Sequence, residues 1–117
     1  MDPFTLALAI TFFGGIALVI IAVTVKKLRE WFQAREQIKV RNSQAIAFTL
    51  AERIKNKQYV EVPGVFTGRA ENTRIVQGFY DVAKDKIIDA RALASPSSPE
   101  QEIIDQHDEG DGLVIYN

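Results

Sequence analysis

The side chains that could do chemistry gather around the only histidine of the chain. His107 stands among the acidic residues Asp105, Asp108, Glu109 and Asp111. A Ser-His-Asp site would need His107 as its base, yet no nucleophile elbow lies nearby. The acidic run lacks the Asp-x-Asp-x-Asp-Gly spacing and the final glutamate of a calcium loop. We therefore expect a solvated histidine at a helix end, with no catalytic or metal-binding role.

Cysteine and glycine patterns exclude other chemistry. The chain contains no cysteine, which excludes a thiolate nucleophile, a disulfide framework and a zinc site made of cysteines. Gly64, Gly68 and Gly78 are too scattered to cradle a phosphate, and no Walker or dinucleotide motif occurs. The sequence therefore predicts a protein that is not an enzyme, with no cofactor and no identifiable small-molecule substrate.

Positive and negative charges nearly balance over the whole chain, but they are distributed unevenly along it. Fourteen basic residues stand against fifteen acidic ones in 117 residues, which argues against a nucleic-acid partner. Residues 26–57 carry nine basic and three acidic side chains, a net charge of +6. Residues 58–117 carry five and eleven, a net charge of −6. A basic segment thus precedes an acidic one.

An uncharged run of 22 residues, 4–25, predicts a transmembrane helix. As a helix it would be about 33 Å long, enough to cross a hydrocarbon core of about 30 Å. A cleaved signal peptide is the first alternative, but the run has no basic residue before it and is long for that role. A buried core helix is the second, but the 92 residues that follow the run are too few and too polar to surround it.

The flanking charges predict the orientation of this helix. Six basic residues lie within residues 26–45, whereas residues 1–3 contain none. The positive-inside rule then places residues 1–3 outside as a short exported tail and residues 26–117 in the cytoplasm. The residues assigned to topology or to lipid headgroups are Lys26, Lys27, Arg29, Trp31 and Arg35. A role in topology alone and a role in binding the lipid bilayer both remain open.

Small residues recur along one side of the predicted transmembrane helix. Ala7, Thr11 and Gly15 are spaced by four residues, and Ala22 returns to the same side. Small side chains let two helices approach closely in lipid, so this side is a candidate contact with another transmembrane helix, from a second copy or a partner subunit. Alternatively, glycine and alanine are simply frequent in membrane spans.

The remaining residues predict a basic amphipathic juxtamembrane helix, 26–42, which would form a helical stalk. They also predict a small α+β domain, 43–117, with one or two helices packed on its sheet. A stripe containing Ile46, Leu50 and Ile54 predicts a helix, and residues 59–62, 65–67 and 74–76 predict short strands. Residues 75–93 fit a hairpin better than a helix. A capping box, 98–101, predicts a helix over 99–108 with proline at its first position, and 113–116 predicts a strand inside the sheet. The sheet is expected to be mostly antiparallel.

Two classes of function fit these features. The first is a non-enzymatic, single-pass, membrane-anchored interaction protein, an accessory or assembly subunit of a membrane complex. The second is a membrane-bound regulator whose cytoplasmic domain binds a small molecule or a cation.

Overall fold

The computed structural model describes Leu6, Ala9, Ile10 and residues 16–51, 73–95, 99–110 and 112–116. Five strands and three helices are described, in this order: β1 Ala17–Ile20, α1 Val25–Ala34, α2 Gln37–Arg41, β2 Ala45–Ala51, β3 Thr73–Asp81, β4 Lys86–Ser95, α3 Gln101–Glu109 and β5 Leu113–Tyr116. The strands predicted over 59–62 and 65–67 lie outside the described residues.

The strands form one mixed sheet in the order β1-β4-β3-β2-β5. Neighbouring strands are antiparallel except for β1 and β4, which are parallel. The predicted α+β class and the mostly antiparallel sheet are therefore confirmed. The hairpin predicted within 75–93 is confirmed as β3 and β4, whose turn, 82–85, contains Asp85 with a φ of 52°.

The hairpin has a glycine at position 78 because β3 and β4 lie very close together there. A Cβ atom at this position would lie 2.5 Å from the carbonyl oxygen of Asp89 and 2.8 Å from the Cβ of Ala90. The two strands also change register between Phe79 and Tyr80. Only a residue without a side chain allows β3 and β4 to approach so closely here.

The helix predicted from Ile46 and Leu50 is wrong, because these residues lie in β2. This strand runs between β3 and β5 and is buried on both faces, apart from the half-buried Ile46. A central strand covered on both sides is apolar along its whole length, so the spacing of four residues between Ile46 and Leu50 imitates a helical stripe. Ile54 lies outside the described residues.

The uncharged run, 4–25, does not form one helix. Leu6, Ala9 and Ile10 are helical, but Ala17–Ile20 is a strand paired with residues 91–94 of β4. Leucine, isoleucine and valine suit a strand as well as an apolar helix, and the free edge of β4 supplies backbone hydrogen-bond partners that local sequence does not reveal. Among the described residues, no helix has the length and apolar character needed to cross a bilayer.

The basic segment, 26–42, is two short helices where one continuous helix was expected. The helical pattern breaks at Arg35 and Glu36, between α1 and α2. Leu28 and Trp31 of α1 are buried against the sheet, so this helix is part of the folded unit and does not stand apart as a stalk.

The C-terminal elements are mostly as predicted. The helix expected over 99–108 is α3, but it begins at Gln101, so Pro99 precedes it and is not its first residue. Ser98 lies outside the described residues. The strand predicted over 113–116 is confirmed as β5. Its predicted interior position is wrong, because among the described strands β5 lies at an edge of the sheet and pairs only with β2. Its short apolar run does not identify an interior strand, because Ile115 is exposed.

The sheet is covered on both faces. On one, Phe48, Leu50, Val76 and Tyr80 pack with Leu6 and Ile10, and we call this the N-terminal face. On the other, α1 and α3 cover Ala47, Thr49, Ala51, Ile75, Gln77 and Phe79, and we call this the helix-covered face.

Candidate functional site

A groove of about 340 Å³ lies between α1, α3 and the helix-covered face. Its floor includes Ala47, Phe79 and Tyr116, and its walls include Phe32 from α1 and Ile103 from α3. Polar side chains surround its mouth: Arg29, Gln33, Glu36, Lys39 and Gln106. An apolar cleft of this size with a few polar groups is typical of small-molecule sites.

Glu100 holds the two helices that form the walls. Its Oε1 accepts a hydrogen bond of 2.9 Å from the backbone N–H of Val25, the first residue of α1. Thr24 caps the same end, since its Oγ1 accepts from the N–H of Lys27 at 3.2 Å. Because Glu100 itself directly precedes α3, its carboxylate ties the beginnings of both helices together, and its negative charge suits the positive end of α1.

Four aromatic rings pack together beside the groove, and three of them, Phe32, Phe79 and Tyr116, line it. Phe32 lies 5.5 Å from Phe79 and 5.0 Å from Tyr116, measured between ring centroids. Trp31 stacks on Phe79 at 5.8 Å. Edge-to-face and stacked pairs of this kind fix ring orientation, so the apolar surface of the groove is formed before any ligand arrives.

A buried chain of hydrogen bonds runs beneath the groove. Thr49 Oγ1 lies 2.7 Å from His107 Nε2 and 2.9 Å from the hydroxyl oxygen of Tyr116. At the far end, His107 Nδ1 lies 2.7 Å from the carbonyl oxygen of Ile103. The chain therefore links Ile103, His107, Thr49 and Tyr116, and the last of these lines the groove.

The direction of each bond follows from the carbonyl, which can only accept. His107 Nδ1 must then carry a proton, and in a neutral imidazole Nε2 accepts from the Thr49 hydroxyl. Thr49 has no second proton, so it accepts from the Tyr116 hydroxyl. Burial lowers the pKa of His107 below 6.5, although its bond to Ile103 opposes this shift. Burial raises the pKa of Tyr116 above 10.0. Both groups are neutral near pH 7.

The expectation of a solvated His107 is wrong, because this side chain is fully buried. Ile103 and His107 are the buried residues of α3 and are spaced by four, so both point towards the sheet. This spacing was the available signal in the sequence. Thr49 and Tyr116 carried no such signal, since their contact with His107 depends on strand pairing.

The basic residues predicted to contact headgroups take several positions. Lys26, Lys27 and Arg29 are exposed on α1, and Arg29 also borders the groove. Trp31 is buried against Phe79, unlike the interfacial position expected for it. Arg35 donates from Nε to Asp89 at 3.1 Å, and its guanidinium lies 4.1 Å from the centre of the Trp31 ring.

A second polar cluster, missed by sequence reasoning, joins α1 to the sheet. The buried Gln77 donates from Nε2 to the carbonyl oxygen of Leu28 at 2.7 Å and accepts from Arg91 Nε at 2.9 Å. Burial, and then the nearby charge of Arg35, lower the pKa of Arg91. Both hydrogen-bonding ends of Gln77 have partners, so this cluster fixes the position of α1 and, with it, one wall of the groove.

The predicted helix-packing residues are not brought together in a described site. Ala7, Thr11 and Gly15 lie outside the described residues, and Ala22 is exposed between β1 and α1. Within the described part of the chain, no three histidine or acidic side chains are grouped so that they could hold a metal ion. Comparisons with protein-family models, curated proteins and solved structures find no match to the chain.

Proposed function

We propose that this chain is a non-enzymatic, single-pass, membrane-anchored interaction protein that serves as an accessory or assembly subunit of a membrane complex. In the proposed membrane-bound state, residues 4–25 would form a transmembrane helix in place of the arrangement in which Ala17–Ile20 pairs with β4. Residue 2 would lie outside and the α+β domain in the cytoplasm. The observation that carries this proposal is the uncharged run of 22 residues followed directly by Lys26 and Lys27.

The position of β1 is compatible with its transfer into a bilayer. Among the described strands, β1 lies at one edge of the sheet and pairs only with β4, so its removal leaves β4, β3, β2 and β5 as a continuous antiparallel sheet. Leu18 is 57% exposed and Ile20 is 69% exposed. Transfer of each such side chain to the centre of a membrane helix is favourable by about 0.3 to 0.6 kcal/mol. The exposed position at the edge of the sheet does not provide this stabilisation.

The same transfer supports a role in interaction. When Leu6 and Ile10 enter the bilayer, they leave the N-terminal face of the sheet. Phe48, Leu50 and Tyr80 then lose the side chains that cover them. A contiguous apolar face of this kind is typical of a protein contact, so insertion would prepare the domain to bind a partner subunit.

Cysteine labelling in cells tests anchoring and orientation, because the chain has no cysteine of its own. Asp2→Cys should react with an impermeant maleimide on intact cells. Lys84→Cys, at an exposed position in the hairpin turn, should react only after permeabilisation. The opposite pattern would reverse the orientation, and recovery of the chain outside the membrane fraction would refute the anchor.

The groove favours a second candidate function, a membrane-bound regulator that binds a small molecule. Its aromatic wall and buried polar chain give both apolar surface and a fixed polar group. A ligand should raise the melting temperature of the full chain in lipid vesicles. Phe32→Ser should remove this rise, whereas Val40→Ser, at a highly exposed position of α2, should keep it. Equal behaviour of the two variants would argue against the groove as the binding site.

A further inference from the structure

The Tyr116 hydroxyl differs from an ordinary tyrosine hydroxyl in having its proton already engaged. An unconstrained tyrosine donates or accepts according to its ligand. Here the proton points to Thr49 Oγ1 at 2.9 Å, so the lone pairs of the oxygen are what remains for a ligand. The groove therefore offers a hydrogen-bond acceptor on its floor.

Reversing the direction of these hydrogen bonds is unfavourable at their buried end, where His107 contacts Ile103. If Tyr116 were to donate to a ligand, Thr49 would have to turn its own proton towards Tyr116. His107 Nε2 would then lose its donor, or would have to take the ring proton itself. In the second case the bare Nδ1 would face the carbonyl oxygen of Ile103 at 2.7 Å, lone pair against lone pair. Both arrangements leave a buried polar atom without a partner.

Whereas the floor of the groove offers a hydrogen-bond acceptor, its mouth carries positive charge. Arg29 and Lys39 border it together with a single acid, Glu36. Neither basic residue forms an ion pair within the described part of the chain. The mouth thus has an excess of positive charge, and Arg29 remains exposed and able to meet an anion.

We infer that the groove binds an aromatic anion that carries a hydroxyl or amine donor at the end opposite its negative charge. The donor meets the Tyr116 oxygen, the ring lies against Phe32 and Phe79, and the anionic group lies near Arg29 and Lys39. This inference rests on the second proposed function, ligand binding in the groove, and adds the chemical class of the ligand.

Two matched probes test it: 6-hydroxy-2-naphthoate and 6-methoxy-2-naphthoate. They share their rings and carboxylate, but only the first has a donor. The full chain in phosphatidylcholine vesicles is titrated with each, and binding is followed by quenching of Trp31, the only tryptophan, against empty vesicles. We expect the hydroxyl probe to bind about fivefold more tightly, the usual effect of one added hydrogen bond.

Variants test separately the acceptor at Tyr116 and the positive charge at the mouth of the groove. Tyr116→Phe removes the acceptor and should bring the ratio of the two affinities close to one. Thr49→Val removes the group that takes the Tyr116 proton, so Tyr116 becomes able to donate and the methoxy probe should gain relative to the hydroxyl probe. Arg29→Gln should weaken both probes equally, and Lys26→Gln, on the same helix but away from the groove, should weaken neither.

The outcomes distinguish the inference from the function on which it rests. Equal binding of both probes by the unaltered chain would overturn the inference and leave ligand binding in the groove standing. Binding of neither probe would overturn both. If a variant does not fold, as judged by its melting curve, the ratio measured on the unaltered chain decides alone. Equal losses of probe affinity in Arg29→Gln and Lys26→Gln would refute the position of the ligand's anionic group near Arg29.

Discussion

The hydroxyl oxygen of Thr49 lies 2.7 Å from Nε2 of His107, in the interior between β2 and α3. The same oxygen lies 2.9 Å from the Tyr116 hydroxyl, so one threonine connects a fully buried histidine to the floor of the groove. A second proton on His107 would require the Thr49 hydroxyl to turn from His107 towards Tyr116. Burial opposes this protonation and lowers the pKa of His107.

This relationship predicts that the protein becomes less stable as the pH falls below about 6.5. Burial lowers the pKa of His107 in the folded state, whereas the unfolded chain keeps a value near 6.5. Below pH 6.5 the unfolded state therefore binds the proton first. Stability is complete above this pH and declines as the pH falls towards the lowered pKa. Melting temperatures from pH 8 to pH 5 measure the effect.

His107→Gln is the control for this pH dependence. Glutamine has no titrating group, so the decline below pH 6.5 should disappear, while stability at pH 8 should fall by about 1–3 kcal/mol because a buried partner of Thr49 is disturbed. A flat profile in the unaltered protein would show that His107 takes up a proton in the folded state as readily as in the unfolded state.

We expect a second, separate loss of stability at low pH, caused by protonation of Asp81. The side-chain amide of Asn42 donates to its carboxylate at 2.8 Å and the N–H of Lys84 donates at 2.9 Å, and these bonds lower the pKa of Asp81 below 3.8. The stability that they provide is present above pH 3.8 and is lost as the pH falls through the lowered value. Asp81→Asn should remove this low-pH step and leave the one near pH 6.5 unchanged, as followed by acid titration of the circular dichroism signal. Loss of both steps would contradict the assignment.

Gly78→Ala should destabilise the domain by about 1–3 kcal/mol. The added methyl group would lie 2.5 Å from the carbonyl oxygen of Asp89, so β3 and β4 would have to separate. Urea denaturation measures the loss. Val82→Ala, at an exposed position in the neighbouring turn, is the control and should change stability by less than about 0.5 kcal/mol. Equal effects would indicate that the strands adjust freely at Gly78.

Leu50→Ala should lower the free energy of unfolding by about 2–5 kcal/mol. Leu50 is fully buried in β2, between β3 and β5, and packs on the N-terminal face with Phe48 and Val76. Its truncation would leave a cavity that neighbouring side chains cannot close completely. Val40→Ala is the matched control, since Val40 is 82% exposed. A loss below 1 kcal/mol in Leu50→Ala, measured by urea denaturation, would mean that the face repacks.

Glu100→Ala should lower stability by about 1 kcal/mol, because the N–H of Val25 loses its acceptor at the start of α1. Glu109→Ala, at the exposed end of α3, is the control and should have little effect. Because the wall of the groove moves with α1, Glu100→Ala should also weaken binding of the hydroxyl naphthoate probe. Loss of stability with unchanged binding would show that Glu100 does not set the spacing of the helices.

Local signals in the sequence predicted the elements that depend on local interactions. The β3–β4 hairpin, α3 and the existence of β5 follow from turn residues and short apolar runs. The sequence failed where a distant partner decides the structure. Ala17–Ile20 becomes a strand because residues 91–94 are beside it, and Ile46 and Leu50 lie in a strand because β3 and β5 enclose it. The groove was missed for the same reason: Phe32, Phe79 and Tyr116 are brought together only by the fold.

The parallel pairing of β1 with β4 has a consequence for synthesis of the chain. Val19 pairs with Leu93, which is 74 positions later in the sequence. At about 5–20 residues per second, a ribosome needs about 4–15 seconds to produce that partner. During this interval the residues of β1 lack the strand with which they pair. Under the proposed membrane anchor, insertion of residues 4–25 into the bilayer would therefore precede formation of the β1–β4 pair.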